Sequence, residues 1–138
     1  MIRYKKLTEY NVYKSIYDSV YEDGKSEYNW DFVSEAIKRK EFRLYSILED
    51  GEAIGTCGFS NILDGITIYE LMVKKEHQGK GYGKKILNYT ITQIKSLSKP
   101  PHLIMAFTNA KHFFELNDFS EIDYNEESID KYEMMLLL

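Results

Sequence analysis

The sequence predicts an α/β domain: a mixed central sheet of six to seven strands flanked by about four helices, with residues 1–138 forming a single unit. Three observations carry this. Apolar residues recur at helical spacing in four segments and at strand spacing in the others, and the two kinds interleave along the chain. Gly and Pro fall between short segments, with no linker, repeat or low-complexity block to divide them. The length of 138 residues, with 43% hydrophobic and 29% charged residues, suffices for one core without disulfides or metal.

Met1 to Leu7 reads as an opening strand, and Thr8 as the N-cap of the first helix, its hydroxyl able to accept an orphan amide N–H. Tyr13, Ile16, Tyr17, Val20 and Tyr21 then form one apolar helical face. Glu22 to Ser26, with Gly24, breaks that helix. A second covers about Trp30 to Lys40, with Phe32, Val33, Ala36 and Ile37 inward. The period then becomes strand-like. Glu41 to Leu48 and Ala53 to Ser60 pair through the turn Asp50-Gly51, where glycine tolerates the positive φ that tight hairpins need. Asp64-Gly65 is a second turn signal, followed by a strand at Ile66 to Val73. A helix starts near Gly81, with Ile86, Leu87, Tyr89, Thr90, Ile94 and Leu97 on its buried side and Pro100-Pro101 just past its end. His102 to Thr108 is a buried strand, Asn109 caps a short helix to about Asn117, and Phe119 to Tyr124 and Lys131 to Leu138 close the sheet.

Several function classes drop out. No apolar run approaches the ~18 residues of a membrane-spanning helix. The opening MIRYKKLTEY lacks the apolar stretch of a signal peptide. Cys57 is the single cysteine, so intrachain disulfides and a four-cysteine zinc site are excluded; mid-strand, it reads as a small buried hydrophobe. His77, His102 and His112 show no paired ligand spacing, and no metal is expected. A net charge of −4 argues against general nucleic-acid binding. The expectation is a cytoplasmic protein, monomer or homodimer, without membrane or nucleic-acid partners.

The segment His77 to Lys85, HQGKGYGKK, lies between a strand and a helix and carries the chemistry. Gly79, Gly81 and Gly83 strip side chains from one turn, so backbone N–H groups can converge on an anion at a helix N-terminus. Lys74, Lys75, Lys80, Lys84 and Lys85 make the segment a basic island, which suggests a phosphate; a tight turn with solvated lysines is the plainer account. The Walker spacing and its hydroxyl are absent, and G-x-G-x-x-G fails whether counted from Gly79 or Gly81.

What fits is Gln78-x-x-Gly81-x-Gly83 after the strand Tyr69-Glu70-Leu71-Met72-Val73. This resembles the acetyl-CoA-binding motif of the GNAT superfamily of N-acetyltransferases. The stretch Ala110 to Phe119, AKHFFELNDF, is similar to that family's second signature, and the element order matches its fold over nearly the whole chain. The resemblance implies strands four and five splayed around acetyl-CoA, the acetyl donor. Backbone groups of Leu71, Met72 and Val73 would hold the pantetheine arm. Amides of Gln78, Gly79, Lys80, Gly81, Tyr82, Gly83 and Lys84 would take the pyrophosphate, with Tyr82 packing rather than reacting. Asn109 and Phe113 fall where the family contacts pantetheine or adenine; a helix cap and a core aromatic are the structural alternatives.

Three positions depart from the pattern. Phe114 occupies the place of the family's usual tyrosine acid, as in the histone acetyltransferase branch, where it would lie near a solvated thiol. Thr67 occupies the place of that branch's strand glutamate. Asp118 replaces the glycine of the closing Gly-Phe, a place where Asp can approach left-handed geometry. Glu70 is the catalytic candidate for proton relay, although a regular strand would give it the wrong parity unless a bulge re-aims it.

The implied activity is transfer of an acetyl group from acetyl-CoA to a primary amine, small molecule or protein, by direct attack on the thioester. In the family the acceptor is flanked by the loop between the first two helices, here Glu22 to Trp30, and by the final strand pair. Tyr28 and Trp30 are candidate walls. Glu121, Asp123, Glu126, Glu127 and Asp130 would favour a cationic amine, or else form a solvated acidic hairpin. The alternatives are a non-catalytic acyl-CoA-binding or regulatory module on the same fold, motivated by Phe114 and Thr67, and a phosphate-reading nucleotide domain.

Overall fold

The computed structural model describes residues 1–21, 26–60, 65–99 and 102–138, with the backbone alone for 26–29. Among these residues seven strands and four helices follow the expected order: β1 Ile2–Lys6, α1 Tyr10–Val20, α2 Ser26–Lys38, β2 Phe42–Glu49, β3 Glu52–Ser60, β4 Ile66–Val73, α3 Tyr82–Leu97, β5 Leu103–Thr108, α4 Lys111–Leu116, β6 Ser120–Tyr124 and β7 Tyr132–Leu137. A 3-10 turn, Lys75–His77, lies between β4 and α3. The strands form one sheet in the order β1-β2-β3-β4-β5-β7-β6. All neighbours are antiparallel except β4 and β5, whose parallel pairing needs the α3 crossover.

Each face of the sheet carries its own core. On one side Ile86, Leu87, Ile91 and Ile94 of α3 pack on Tyr45, Ile47, Ile54, Cys57, Ile68, Ile104 and Met134, and Phe114 of α4 joins them with Phe119. On the other, Tyr13, Ile16 and Tyr17 of α1 and Val33 of α2 pack on Leu7, Phe42, Leu44 and Met72. β2 shows the period-two logic: Phe42 and Leu44 enter the second core, Tyr45 and Ile47 the first. The Asp50-Gly51 turn has φ +49 and +87, the pair of positive values that a two-residue hairpin of matching twist demands.

Several expectations are corrected. The N-cap of α1 is Glu9, with no side-chain hydrogen bond, rather than Thr8. α2 begins at Ser26, ahead of the expected Trp30, and Phe32 points outward at 75% exposure. Leu97, in the last turn of α3, is exposed as well. β5 is not buried throughout, since Leu103 and Phe107 face solvent while Ile104 and Ala106 face the core. The cap of α4 is Ala110, whose N–H is met by Thr108 Oγ1 at 2.8 Å, and not Asn109. The helix break at 22–25, Asp64 of the second turn and Pro100-Pro101 lie outside the described residues.

α4 ends in a Schellman motif. The N–H of Phe119 donates to the Phe114 carbonyl at 3.0 Å and that of Asp118 to the Glu115 carbonyl at 3.2 Å. The Phe114 and Phe119 rings meet 5.0 Å apart, as the motif's apolar contact. This geometry puts Asp118 at φ +72, in the left-handed region, which explains why the family favours glycine there and how Asp is tolerated. Asp118→Gly is therefore expected to raise stability by about 0.5–1 kcal/mol. The urea midpoint should rise with an unchanged slope.

Candidate functional site

β4 is interrupted at Glu70. Thr56 pairs with Met72 and Gly58 with Tyr69, so one residue of β3, Cys57, faces two of β4, Glu70 and Leu71. Glu70 takes φ +56, a value rare for a residue with a Cβ, and one that stores strain of about 1–3 kcal/mol. Thr56, fully buried, holds it there by donating its hydroxyl to the Glu70 carbonyl at 2.7 Å. The consequence is a change of parity. Ile68 faces the α3 core and Met72 the α1–α2 core, although an even spacing of four positions would put both on one face of a regular strand. The Tyr69 ring lies 6.2 Å from that of Phe42, on the same face as the Glu70 side chain.

Glu70 is mostly buried, and burial pushes its carboxyl above the ordinary carboxylate value. A hydrogen bond opposes this: the hydroxyl of Tyr13, a fully buried residue of α1, donates to Oε2 at 3.1 Å. Burial and the neighbouring carboxylate together hold the Tyr13 phenol far above its usual range, so it stays a donor. No cation pairs with Glu70 among the described residues.

The same strand segment borders an opening. β4 and β5 pair at Ile66↔Ile104, Thr67↔Met105 and Ile68↔Ala106 and then diverge, leaving the β5-facing edge of Tyr69 to Val73 without a strand partner. The chain turns at Val73 into the glycine loop. Gln78 Nε2 donates to the Val73 carbonyl at 2.9 Å and ties the loop to the strand end. Gly79 and Gly81 have φ +77 and +89, and a Cβ at either would enter open space. Gly81 caps α3 without any side-chain hydrogen bond, so the first-turn N–H groups point into that loop. At Gly83 a Cβ would lie 3.3 Å from the Phe113 ring and 3.8 Å from Val73. Lys80 and Lys84 are exposed beside it.

On the α1–α2 face a cleft of ≈ 630 Å³ runs from α2 to β4. Glu70, Tyr69, Phe42 and Ser60 line its sheet side, with Glu41, and Asp31, Phe32, Val33, Glu35, Ala36 and Arg39 its helical side. Its size is that of a small-molecule site. Glu70 thus stands in the cleft wall and, at the same time, on the strand segment that borders the opening toward β5.

The sequence model of the acetyltransferase (GNAT) family matches residues 8–119. The chain belongs to that family. GNAT enzymes transfer acetyl groups from acetyl-CoA, and this chain is one of these N-acetyltransferases. No curated protein matches it in sequence. Its fold is that of solved family members at low identity. An acetyltransferase of the GNAT family from Staphylococcus aureus superposes at a TM-score of 0.78 with 16% identity, covering 100% of this chain and 99% of the other. A spermidine N-acetyltransferase variant from Vibrio cholerae gives 0.75 and 14%, with coverage of 99% and 93%. An aminoglycoside 6'-N-acetyltransferase in complex with coenzyme A gives 0.74 and 11%, covering 99% and 96%.

Within the GNAT frame most of the anticipated residues converge. Leu71, Met72 and Val73 lie on the diverging edge, residues 78–84 form the loop beyond it, and Phe113 leans on Gly83. Tyr82 packs as expected: its hydroxyl donates to Glu49 Oε2 at 3.2 Å and its ring lies under the Lys85 ammonium. The basic island is smaller than it looked, because Lys74 is buried and paired with Glu52 at 3.3 Å. Asn109 is engaged elsewhere. Its amide donates to the Ile129 carbonyl at 2.7 Å and accepts from the Lys131 N–H at 2.9 Å, closing the β6–β7 loop.

The acceptor-side expectations shift more. Trp30 packs 5.2 Å from Tyr13 and joins α2 to α1 instead of walling the cleft, and the side chain of Tyr28 lies outside the description. The acids between Glu121 and Asp130 do not line the cleft; Asp31, Glu35, Glu41 and Glu70 do. The outward Phe32 at position i beside acids at i−1 and i+3 was the available signal: an apolar side chain on a charged helical face.

Phe114 is 3% exposed and wedged edge-on between Phe113 and Phe119. The expected solvated surroundings are therefore corrected: the ring sits in a dry, apolar core. Phe114→Tyr should bury an unpaired hydroxyl and cost about 1–3 kcal/mol, read from urea denaturation.

Proposed function

We propose that this enzyme acetylates the primary amine of an acceptor held in the cleft between α2 and β4, with Glu70 as the base. The observation that carries it is the position of Glu70, which lines the cleft from the strand segment where β4 parts from β5. The residues on that side fit acetyl-CoA. A strand edge without a partner offers backbone groups of Leu71 and Val73 to an amide-bearing arm, with Met72 between them, its carbonyl turned toward Gly55 of β3. The uncapped start of α3 and the glycine loop Gln78 to Lys84 offer N–H donors to the pyrophosphate, with Lys80 and Lys84 adding charge. Phe113 supports the loop at Gly83, while the side chain of Asn109, spent on the 129–131 loop, is left out of this set.

When bound, acetyl-CoA supplies a thioester whose C–S bond breaks as the acceptor's C–N bond forms, the sulfur keeping the bonding pair. Glu70 takes the proton that the acceptor nitrogen loses and returns it to solvent. Its raised proton affinity suits the task, because a base works best when its pKa approaches the working pH. Tyr13 keeps the carboxylate oriented and ionised. No phenol stands at position 114, so the departing sulfur is protonated by water. Spermidine and aminoglycoside acceptors of the structural neighbours are consistent with an amine acceptor here.

Two outcomes follow. Coenzyme A should raise the melting temperature, since a ligand of the native state stabilises it by mass action. Gly81→Asp and Gly83→Asp should abolish that shift, the first by a carboxylate and strain at φ +89, the second by crowding Phe113. Glu70→Gln should lower turnover at neutral pH by at least about tenfold while coenzyme A affinity is retained. Because the base is active only when ionised, wild-type turnover should fall as pH drops through a value above the ordinary carboxylate range. Tyr13→Phe should move that limb to higher pH, and Glu70→Gln should remove it.

A further inference from the structure

A hydroxyl in the middle of β3 does more than fill space. Thr56 is fully buried, and its Oγ1 donates to the Glu70 carbonyl at 2.7 Å. The ladder is disrupted at the bulge, so this carbonyl takes a side chain as its partner where a regular strand would give it a backbone N–H. The residue so held lies at φ +56, a conformation that a side chain with a Cβ keeps only when its surroundings impose it.

That one hydrogen bond fixes two directions. The Glu70 side chain leaves the strand into the cleft wall, where the Tyr13 hydroxyl meets Oε2 at 3.1 Å. The peptide joining Glu70 to Leu71 is fixed as well, and in a trans peptide C=O and N–H point to opposite sides. With the Glu70 carbonyl drawn to Thr56 of β3, the Leu71 N–H points away from β3, toward the edge left open once β4 and β5 part after Ile68↔Ala106. The ladder alternation agrees. The Lys74 N–H donates to the Ile54 carbonyl at 2.8 Å, so the backbone groups of Lys74 and Met72 face β3 while those of Val73 and Leu71 face the opening. Rotation of the 70–71 peptide would replace a donor by an acceptor at that edge and unseat the carboxylate at the same time.

We infer that Thr56 is a positioning residue for acetyl transfer: through the Glu70 carbonyl, its hydroxyl holds the carboxylate in the cleft wall and the Leu71 N–H on the side of the opening. Thr56 is sealed within the sheet and acts through the peptide it grips. This rests on the site proposed above, but its Leu71 part does not require Glu70 to be the base.

The test removes the hydroxyl and keeps the β-branched shape with Thr56→Val. This variant should lose at least about tenfold in kcat, since small misplacements of reacting groups are costly. Its coenzyme A affinity and thermal shift should be retained, because the glycine loop is untouched. Thr56→Ser keeps the hydroxyl and should recover most of the loss. A Thr56→Val variant with wild-type kcat overturns the inference. So does a Thr56→Ser variant as slow as Thr56→Val, since the γ-methyl group and not the hydroxyl would then matter. A second measurement needs no variant: in the ligand-free wild type the Leu71 amide should exchange its hydrogen faster than the Met72 amide, which faces β3. Equal protection of the two amides overturns the inference even if Thr56→Val does not fold. A slow Thr56→Val rescued by Thr56→Ser, beside a Glu70→Gln variant of wild-type rate, rejects Glu70 as the base and upholds Thr56 through the Leu71 N–H.

Discussion

The extra residue of β4 at Glu70 constrains everything around it. A regular strand would send Glu70 and Met72 to the same face as Ile68, into the core beneath α3. Instead the left-handed backbone at Glu70, held by the Thr56 hydroxyl, turns the rest of the strand over. Met72 then enters the α1–α2 core and the Glu70 carboxylate meets Tyr13. The strain is offset by two part-buried hydrogen bonds and by the packing on either side. It sits where the cleft and the opening toward β5 border one another.

The sheet supplies those compartments. An antiparallel run from β1 to β4 and a second set, β5-β7-β6, meet only over three parallel pairs. Beyond them the strands part, and the first turn of α3 lies at the end of the gap because the glycine loop is pinned by Gln78 to Val73. On the other face α2 stands over β2–β4 and leaves a cleft rather than a sealed interface. Glu70 is common to both. The core beneath α3 spans both sets, with Ile54 and Ile68 of the first and Ile104 and Met134 of the second, and holds them together up to the point where β4 and β5 part.

The helix α2 shows how one amphipathic element can serve packing and recognition together. Val33 is buried against α1 and the sheet, and Trp30 joins it to Tyr10 and Tyr13. Asp31, Phe32 and Glu35 line the cleft from the same helix. Phe32 is exposed in the cleft wall rather than buried in the core. The neighbouring acids give the apolar wall a negative rim, and Arg39 offsets that charge at Glu35.

Much of this was determined by the sequence alone. The element order, the Asp50-Gly51 turn and the start of α3 at Gly81 follow from local rules, since glycine, turn chemistry and periodicity act within a few residues. The motif spacing pointed to the family, and Asp118 was recognisable as a left-handed residue from its place after a helix. Tertiary structure decided the rest. Periodicity placed Phe32 inward because it cannot distinguish a core face from a cleft wall. It could not say that Phe114 is sealed between two rings, that Asn109 reaches the 129–131 loop, or that the acids of the cleft come from α2, the residue before β2 and β4. Each depends on contacts between residues far apart in sequence. The parity of Glu70 is the clearest case: a bulge is a mismatch between two strands, and no single strand's pattern contains it.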